Sequence, residues 1–570
     1  TGSSNVAIGI SGQKITTGSS NVAIGGGLNG GVDVVVTGSN NIAIGSGALS
    51  PISGNFSNGD VIAIGRGALN GTAGAGVVAV GGLAFNEAGN TSQSVAIGFE
   101  AGYRLSTSCG DSVLIGYQAG YGNATPGAAA NNIGIGTQAL YNLSSGGAHV
   151  AIGVQAGYSL TTGGGATAIG YWSLKNATGA GNTGLGESAG YKVASGTYNT
   201  AVGCQAQYNT IGSITGSYNV ALGALAMNGT GTVSGNDNIA IGRSALARIT
   251  GAVNNNVAIG KEAASWCTGS ANVAIGNSTG AAITTGASNV ILGDTATSCG
   301  NLSGSYNVIA GYGAVSNSSL TSAAYNVALG WCALSQVTTG QYNTAINANA
   351  GDTITTGQYN VCIGTNSDAA AGAYSAVAIG NQSGSSSYSG IAASYSIQIG
   401  YLTYASQQRA VAIGYQAYAT GATGSIQLGQ GTNARAGYTL QVGGASSGDA
   451  PAYYCYAQAW TAYSDRRLKK DIVPLPNAEG LAMIEALEPV RYRLKSAGNN
   501  GRVRWGLIAQ DVKATLDRIG LPGRDVYTDD DENGWAIDYD QLVAPLVKAV
   551  QELSAQVKDL QAQLAALKGT

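Results

Sequence analysis

The unit Asn-Val-Ala-Ile-Gly, or a close variant, returns along most of this chain, for example at residues 5–9, 21–25, 41–45, 256–260 and 326–330. Its closing glycine recurs roughly 26 times up to about residue 443, at intervals of about 14 to 20 residues. That period is too short for helix-pair repeats and suits one turn of a β-solenoid. In a strand, Val273 and Ile275 point to one face and Asn272 and Ala274 to the other. The branched residues are expected to form the core, and the small face to let another chain approach closely. The closing glycine permits positive φ at the turn, and segments such as 16–19 and 355–359 supply turn residues before the next strand. A single coil cannot bury its apolar face, but coils stacked at about 4.8 Å pair every strand with the next. Some 26 turns would make a shaft of about 120 Å.

Composition agrees with a polar rod. There are 91 Gly but only 8 Pro and 9% charged residues, so Ser, Thr, Asn, Tyr and Gln must keep the surface wet. A net charge of -3 gives no reason to expect nucleic acid or an anionic membrane as partner. Seven scattered cysteines, Cys109, Cys204, Cys267, Cys299, Cys332, Cys362 and Cys455, lack metal-ligand spacing and read as small hydrophobes of a chain made in a reducing cytoplasm. His149 is the only histidine, which excludes a His-based triad or metal site within one chain, so no metal or cofactor is expected. No apolar run is long enough to span a membrane, and no signal-peptide pattern opens the chain.

Longer insertions at 46–60, 117–131 and 381–395 are expected to project as tolerated surface loops. Asn5, Asn21 and Asn41 are expected to stack as a hydrogen-bonded ladder. The last units, 396–400, 425–429 and 439–443, put Gln in place of Ala and shorten, marking a change in cross-section. Carboxylates are too sparse in the repeats to nominate a glycosidase pair. The units resemble the head repeats of trimeric autotransporter adhesins, and similar repeats occur in phage tail fibres. The resemblance implies a trimeric parallel β-roll over residues 1–443.

The stretch 451–463 is dense in aromatics. Tyr453, Tyr454, Tyr456 and Trp460 suit either a plug for the end of the rod or contact with a receptor. After residue 463 the composition changes, since 15 of the 25 Lys and Arg and 16 of the 28 Asp and Glu fall there. This last segment, 464–570, reads as a compact, mainly helical module. It closes on a strict heptad, with Val543, Val550, Val557 and Leu564 at one seam position and Leu546, Leu553, Leu560 and Leu567 at the other. Such a seam specifies a coiled coil over about 541–568, so the chain is expected to oligomerise.

Three separated motifs in this tail, Ser464-Asp465 with Arg467-Leu468-Lys469, then 506–512, then 539–546 leading into 549–553, resemble the S74 peptidase family. That family comprises intramolecular chaperones at the C-termini of phage endosialidases and tail fibres. The resemblance implies that Ser464 is the nucleophile and Lys469 the general base, that the bond between Tyr463 and Ser464 is cut once, and that the chaperone is then released. A lysine base must be neutral, which burial or the neighbouring Arg466, Arg467 and Lys470 would favour. Taken alone, residues 464–472 read as a capped helix start, with Ser464 as N-cap and Asp465 in the first turn. The accompanying motifs carry the peptidase reading. Gln510 either shapes the site or packs.

The combined expectation is a mainly β, homotrimeric virion tail fibre, assembled in the host cytoplasm, that contacts a host surface receptor and carries a single-turnover self-cleaving chaperone. The chain opens inside a repeat, so a preceding segment is expected to dock it to other tail proteins. A bacterial trimeric surface adhesin is the second reading, but it calls for a signal peptide and a C-terminal membrane β-barrel where this sequence ends in a coiled coil. A polysaccharide-degrading tailspike is the third, and it needs carboxylate clusters that only clefts between subunits could assemble.

Overall fold

A computed structural model describes the chain except for residues 1, 10–13, 16, 26–34, 51–56, 72–73, 90, 106–108, 124–128, 282, 298–300, 318–321, 385–392, 420–422, 432–439, 443–468, 494–502, 522–525, 529–534 and 570. It divides into two compact units, Thr1–Gly443 and Gly444–Thr570. The first is a parallel β-solenoid. Its 26 main strands, each three residues long, run from Val6–Ile8 to Leu440–Val442 and join in one sheet. Like pairs with like from coil to coil, as where Val257, Ala258 and Ile259 lie against Val273, Ala274 and Ile275.

The faces of these strands are the reverse of the expectation. Alanines such as Ala258 and Ala274 are fully buried, whereas the valines and isoleucines beside them are half-buried or exposed. The interior is filled from the return side of each coil by Leu140, Leu174, Ile214, Val233 and Leu246, all buried. Little room remains opposite them. At Gly134 and Gly184, which stand at the alanine position, an added methyl would already meet Leu114 Cδ2 at 3.0 Å and Leu174 Cγ at 2.9 Å. Most coils therefore carry Ala or Gly at this position, with a larger buried residue only in a few, such as Leu114, Ile291 and Ile309, while Val and Ile take the outward face and leave a long apolar stripe.

Asparagine holds the inner edge of the strand. The backbone N–H of Asn343 donates to Asn326 Oδ1 at 2.9 Å, while its own Nδ2 donates to the Gly357 carbonyl at 2.9 Å. The expected ladder therefore exists, and it satisfies turn carbonyls that the parallel sheet cannot reach. His149 takes the Asn place in its coil, and its Nδ1 accepts from the Ala166 N–H at 3.2 Å. The closing glycine is fixed by two constraints at once. At Gly260 φ is +130°, and a Cβ would run into the Gly276 carbonyl oxygen of the next coil. One coil closes instead on Asn347, at φ 99°.

Exposed rings repeat with the coil and stack. Tyr306, Tyr325, Tyr342 and Tyr359 form a column with centroids 5.0, 4.7 and 4.8 Å apart. Near the end of the unit the cross-section changes as expected. Gln398 and Gln427 are buried, and a second strand pair, Tyr404–Ala405 with Tyr418–Ala419, encloses a small core of Ala405, Ala410, Ala412, Ala417 and Ala419. The central parts of the three long insertions lie outside the described residues.

Candidate functional site

The second unit is built on three helices, α1 (Leu481–Ala486), α2 (Ala509–Arg518) and α3 (Val543–Lys568). With them are two antiparallel strand pairs, Val490–Tyr492 with Arg504–Gly506 and Tyr527–Thr528 with Ala536–Ile537. Helix α2 turns Ala509, Val512 and Leu516 inward and carries Asp511 in its first turn and Arg518 in its last, each at the favourable end of the helix dipole. It stops in a Schellman motif. Gly520 sits at φ 75°, its N–H donating to the Asp517 carbonyl at 3.3 Å and the Leu521 N–H donating to the Leu516 carbonyl at 2.8 Å. Met483, Leu487, Val512, Leu516, Leu521, Val526 and Leu542 close a common core.

Two motifs that are far apart in sequence meet here. The Leu507 N–H donates to the Tyr539 hydroxyl at 2.9 Å. A Cβ at Gly506 would lie 2.5 Å from that hydroxyl, so glycine is needed for Tyr539 to dock. A third link ties α1 to α3. Glu552 Oε2 accepts from the Leu481 N–H at 2.8 Å, and Lys548 Nζ lies 3.3 Å from Oε1. Nothing in the spacing of Glu552 announced this cap, because its partner is 71 residues away.

The eight seam residues of α3, Val543, Leu546, Val550, Leu553, Val557, Leu560, Leu564 and Leu567, are between 45% and 75% exposed. The face of α3 used within the chain is a different one, carrying buried Pro545 and Ala549 together with Glu552. An apolar seam therefore faces outward. Trp505, opposite Arg491 in the first strand pair, is 88% exposed, and the sequence reading did not single it out.

Of the expected catalytic and cleavage residues, Lys469 is exposed in an irregular segment ahead of α1. Ser464 and Tyr463 lie outside the described residues, as do the candidate receptor contacts Tyr453, Tyr454, Tyr456 and Trp460. Gln510 is exposed on α2 and does not pack in the core.

The second unit is a compact module that follows the solenoid in the sequence, with its motifs in the order read there. Residues 464–521 match the Peptidase_S74 family, chaperone of endosialidase. The match begins at Ser464, and helix α3 lies beyond its end. No curated protein matches the chain. An S74 chaperone domain after a parallel β-solenoid is the organisation of a tail-fibre-like or tailspike-like protein, and it points to self-cleaving intramolecular chaperone activity.

Proposed function

We propose that three copies of this chain assemble in parallel and in register as a virion tail fibre, formed in the host cytoplasm, that attaches the particle to a host surface receptor. The S74 match starting at Ser464 is the observation that carries the reading. Two exposed apolar surfaces support it, the outward Val and Ile stripe of the shaft and the heptad seam of α3. A contiguous apolar surface of more than a few hundred Å² marks an interaction site. Parallel solenoids also face a registration problem, because a slip of one coil satisfies almost the same strand pattern. A coiled coil that gathers three C-termini sets the stagger before the shaft zips.

In this reading the tail then removes itself. Ser464 Oγ adds to the carbonyl carbon of Tyr463 while the neutral amine of Lys469 takes the hydroxyl proton. The proton passes to the departing Ser464 nitrogen, leaving an ester between the Tyr463 acyl group and Ser464 Oγ. Water hydrolyses the ester, giving a Tyr463 carboxylate and a chaperone with a free Ser464 amine. No metal or cofactor takes part. Tyr453, Tyr454, Tyr456 and Trp460 would then stand at the new C-terminus, where broad apolar rings with polar tips suit receptor contact. Neither nucleic acid nor membrane insertion enters.

Intact mass spectrometry of wild type beside Ser464→Ala and Lys469→Ala tests this. A fragment ending at Tyr463 in wild type and in neither variant supports the dyad. Three intact chains would refute cleavage, and a cut in the Ser464→Ala chain would refute the nucleophile.

A further inference from the structure

Among the described residues, most strands of the outward stripe are flanked by two largely exposed rows. The residue before the ladder asparagine forms a leading row, and the residue after the closing glycine forms a trailing row. The proposal that follows rests on the parallel trimer described above. In a closed threefold ring every interface is heterologous, so the leading edge of one protomer meets the trailing edge of the next. When the chains are in register, the two edges meet at the same coil.

The rows are matched within coils. Asp60 leads and Arg66 trails in one coil, and Asp237 leads and Arg243 trails in another, all four exposed. No described coil carries like charges in both rows. Size follows a similar pattern at several levels. Tyr198 leads opposite Cys204, Tyr218 opposite Ala224, and in reverse Gly165 opposite Tyr171. Aromatics fill both rows only in a few coils, such as that of Tyr306 and Tyr312, where ring can pack on ring.

Within one chain the leading tyrosines stack on each other from coil to coil, as Tyr198 does on Tyr218, but a leading residue does not meet the trailing residue of its own coil. Leading and trailing positions are six residues apart along an extended strand, about 20 Å. The contacts that the charged members make inside the chain are with neighbouring coils: Asn40 Nδ2 donates to Asp60 Oδ1 at 3.0 Å, and Arg243 lies 3.7 Å from Glu262. A slip of one coil would set Asp60 against Ser46 or Gly82 and lose its opposite charge.

We infer that the leading row of one copy packs on the trailing row of a second copy at the same coil, and that these side-chain pairs fix the register of the trimer along the shaft. The partner is another copy of this chain, and its address is written in residues that flank the repeat motif rather than in the motif itself.

A single substitution tests it, because Cys204 is already an exposed trailing residue. The full-length chain carrying Tyr198→Cys is oxidised with diamide, which takes two hydrogens from two thiols to form one disulfide. Roughly 20 Å of strand separates the positions within a chain, whereas a disulfide needs Cα atoms within about 7 Å, so any bond between them joins two chains. The expected result is that most of the chain runs as covalent dimer and trimer on a non-reducing denaturing gel, reverts with reductant, and stays monomeric when Cys204→Ser is added. Tyr218→Cys with Ala224→Cys, in a chain that also carries Cys204→Ser so that no cysteine lies beside residue 224 in the adjacent coil, repeats the test one coil on, in case the first variant fails to fold. Sedimentation of the same samples separates the two claims. Trimers without cross-links in both variants, or cross-linking equal to that of wild type, would overturn the row pairing and leave the trimer standing; a monomeric wild-type chain would overturn both.

Discussion

Replacing Asn289 by Ala probes the ladder at its centre. The Oδ1 of Asn289 accepts from the Asn307 N–H at 3.0 Å, and its Nδ2 donates to the Gly304 carbonyl at 3.1 Å. All three residues are buried. Alanine therefore orphans one backbone donor and one backbone acceptor. At about 1 to 3 kcal/mol for each unsatisfied buried group, the coil should open about 2 to 6 kcal/mol more easily. At about 1.4 kcal/mol per tenfold, amide exchange over residues 300–312 should quicken about 30-fold or more. Serine should cost less, because it keeps the acceptor. The chain already uses it so at Ser112, whose Oγ accepts from the Asn132 N–H at 3.1 Å. Hydrogen–deuterium exchange read by mass spectrometry measures both variants, and it suits a repeat array that need not unfold as one cooperative unit. Exchange at the wild-type rate in the Asn289→Ala chain would refute the view that the ladder holds the coils together.

Burial pushes the pKa of His149 below its ordinary value, with the Gly163 carbonyl opposing. The unfolded chain then takes up the proton first, so stability present above about pH 6.5 should be lost as the pH falls below it. Melting temperatures at about pH 7.5 and about pH 5.5 should show this fall in wild type and a smaller one in His149→Asn. Asp368 behaves oppositely: burial first, then the nearby Asp352 carboxylate, pushes its pKa up to about 8. Its folded state keeps the proton longer, so stability should decline as pH rises from the ordinary carboxylate range through about 8; Asp368→Asn should remove that decline in alkaline melts. Glu552→Ala should free the Leu481 amide and cost about 1.5 to 3 kcal/mol as a lost charged hydrogen bond, whereas Glu552→Gln, which keeps an oxygen, should cost less by exchange at residues 480–487. Leu553→Asp places a charge in the α3 seam, and sedimentation should show loss of assembly without loss of helix by circular dichroism.

The solenoid was legible because the period, the closing glycine and the ladder asparagine are all local signals. What sequence alternation could not decide was which face points inward. Val and Ile next to Ala reads as a core face on hydrophobicity alone, yet the lumen is filled from the far side of the coil by residues such as Leu174 and Ile214, so that in most coils Ala or Gly suffices opposite them. The tail shows the same limit. Its heptad seam is periodic and was visible, whereas the docking of Tyr539 on Leu507 and the capping of Leu481 by Glu552 depend on approaches between distant segments that no spacing encodes. The tail motifs singled out Ser464 and Lys469, and they did so through family resemblance rather than through chemistry readable from Ser and Lys alone.

The central claim is that three chains make one fibre. Native mass spectrometry of the uncleaved Ser464→Ala chain tests it most directly, because shaft and chaperone then stay together. The account expects a single assembly with three times the mass of the chain; a monomer over the whole working concentration range, or an assembly of two, would contradict it.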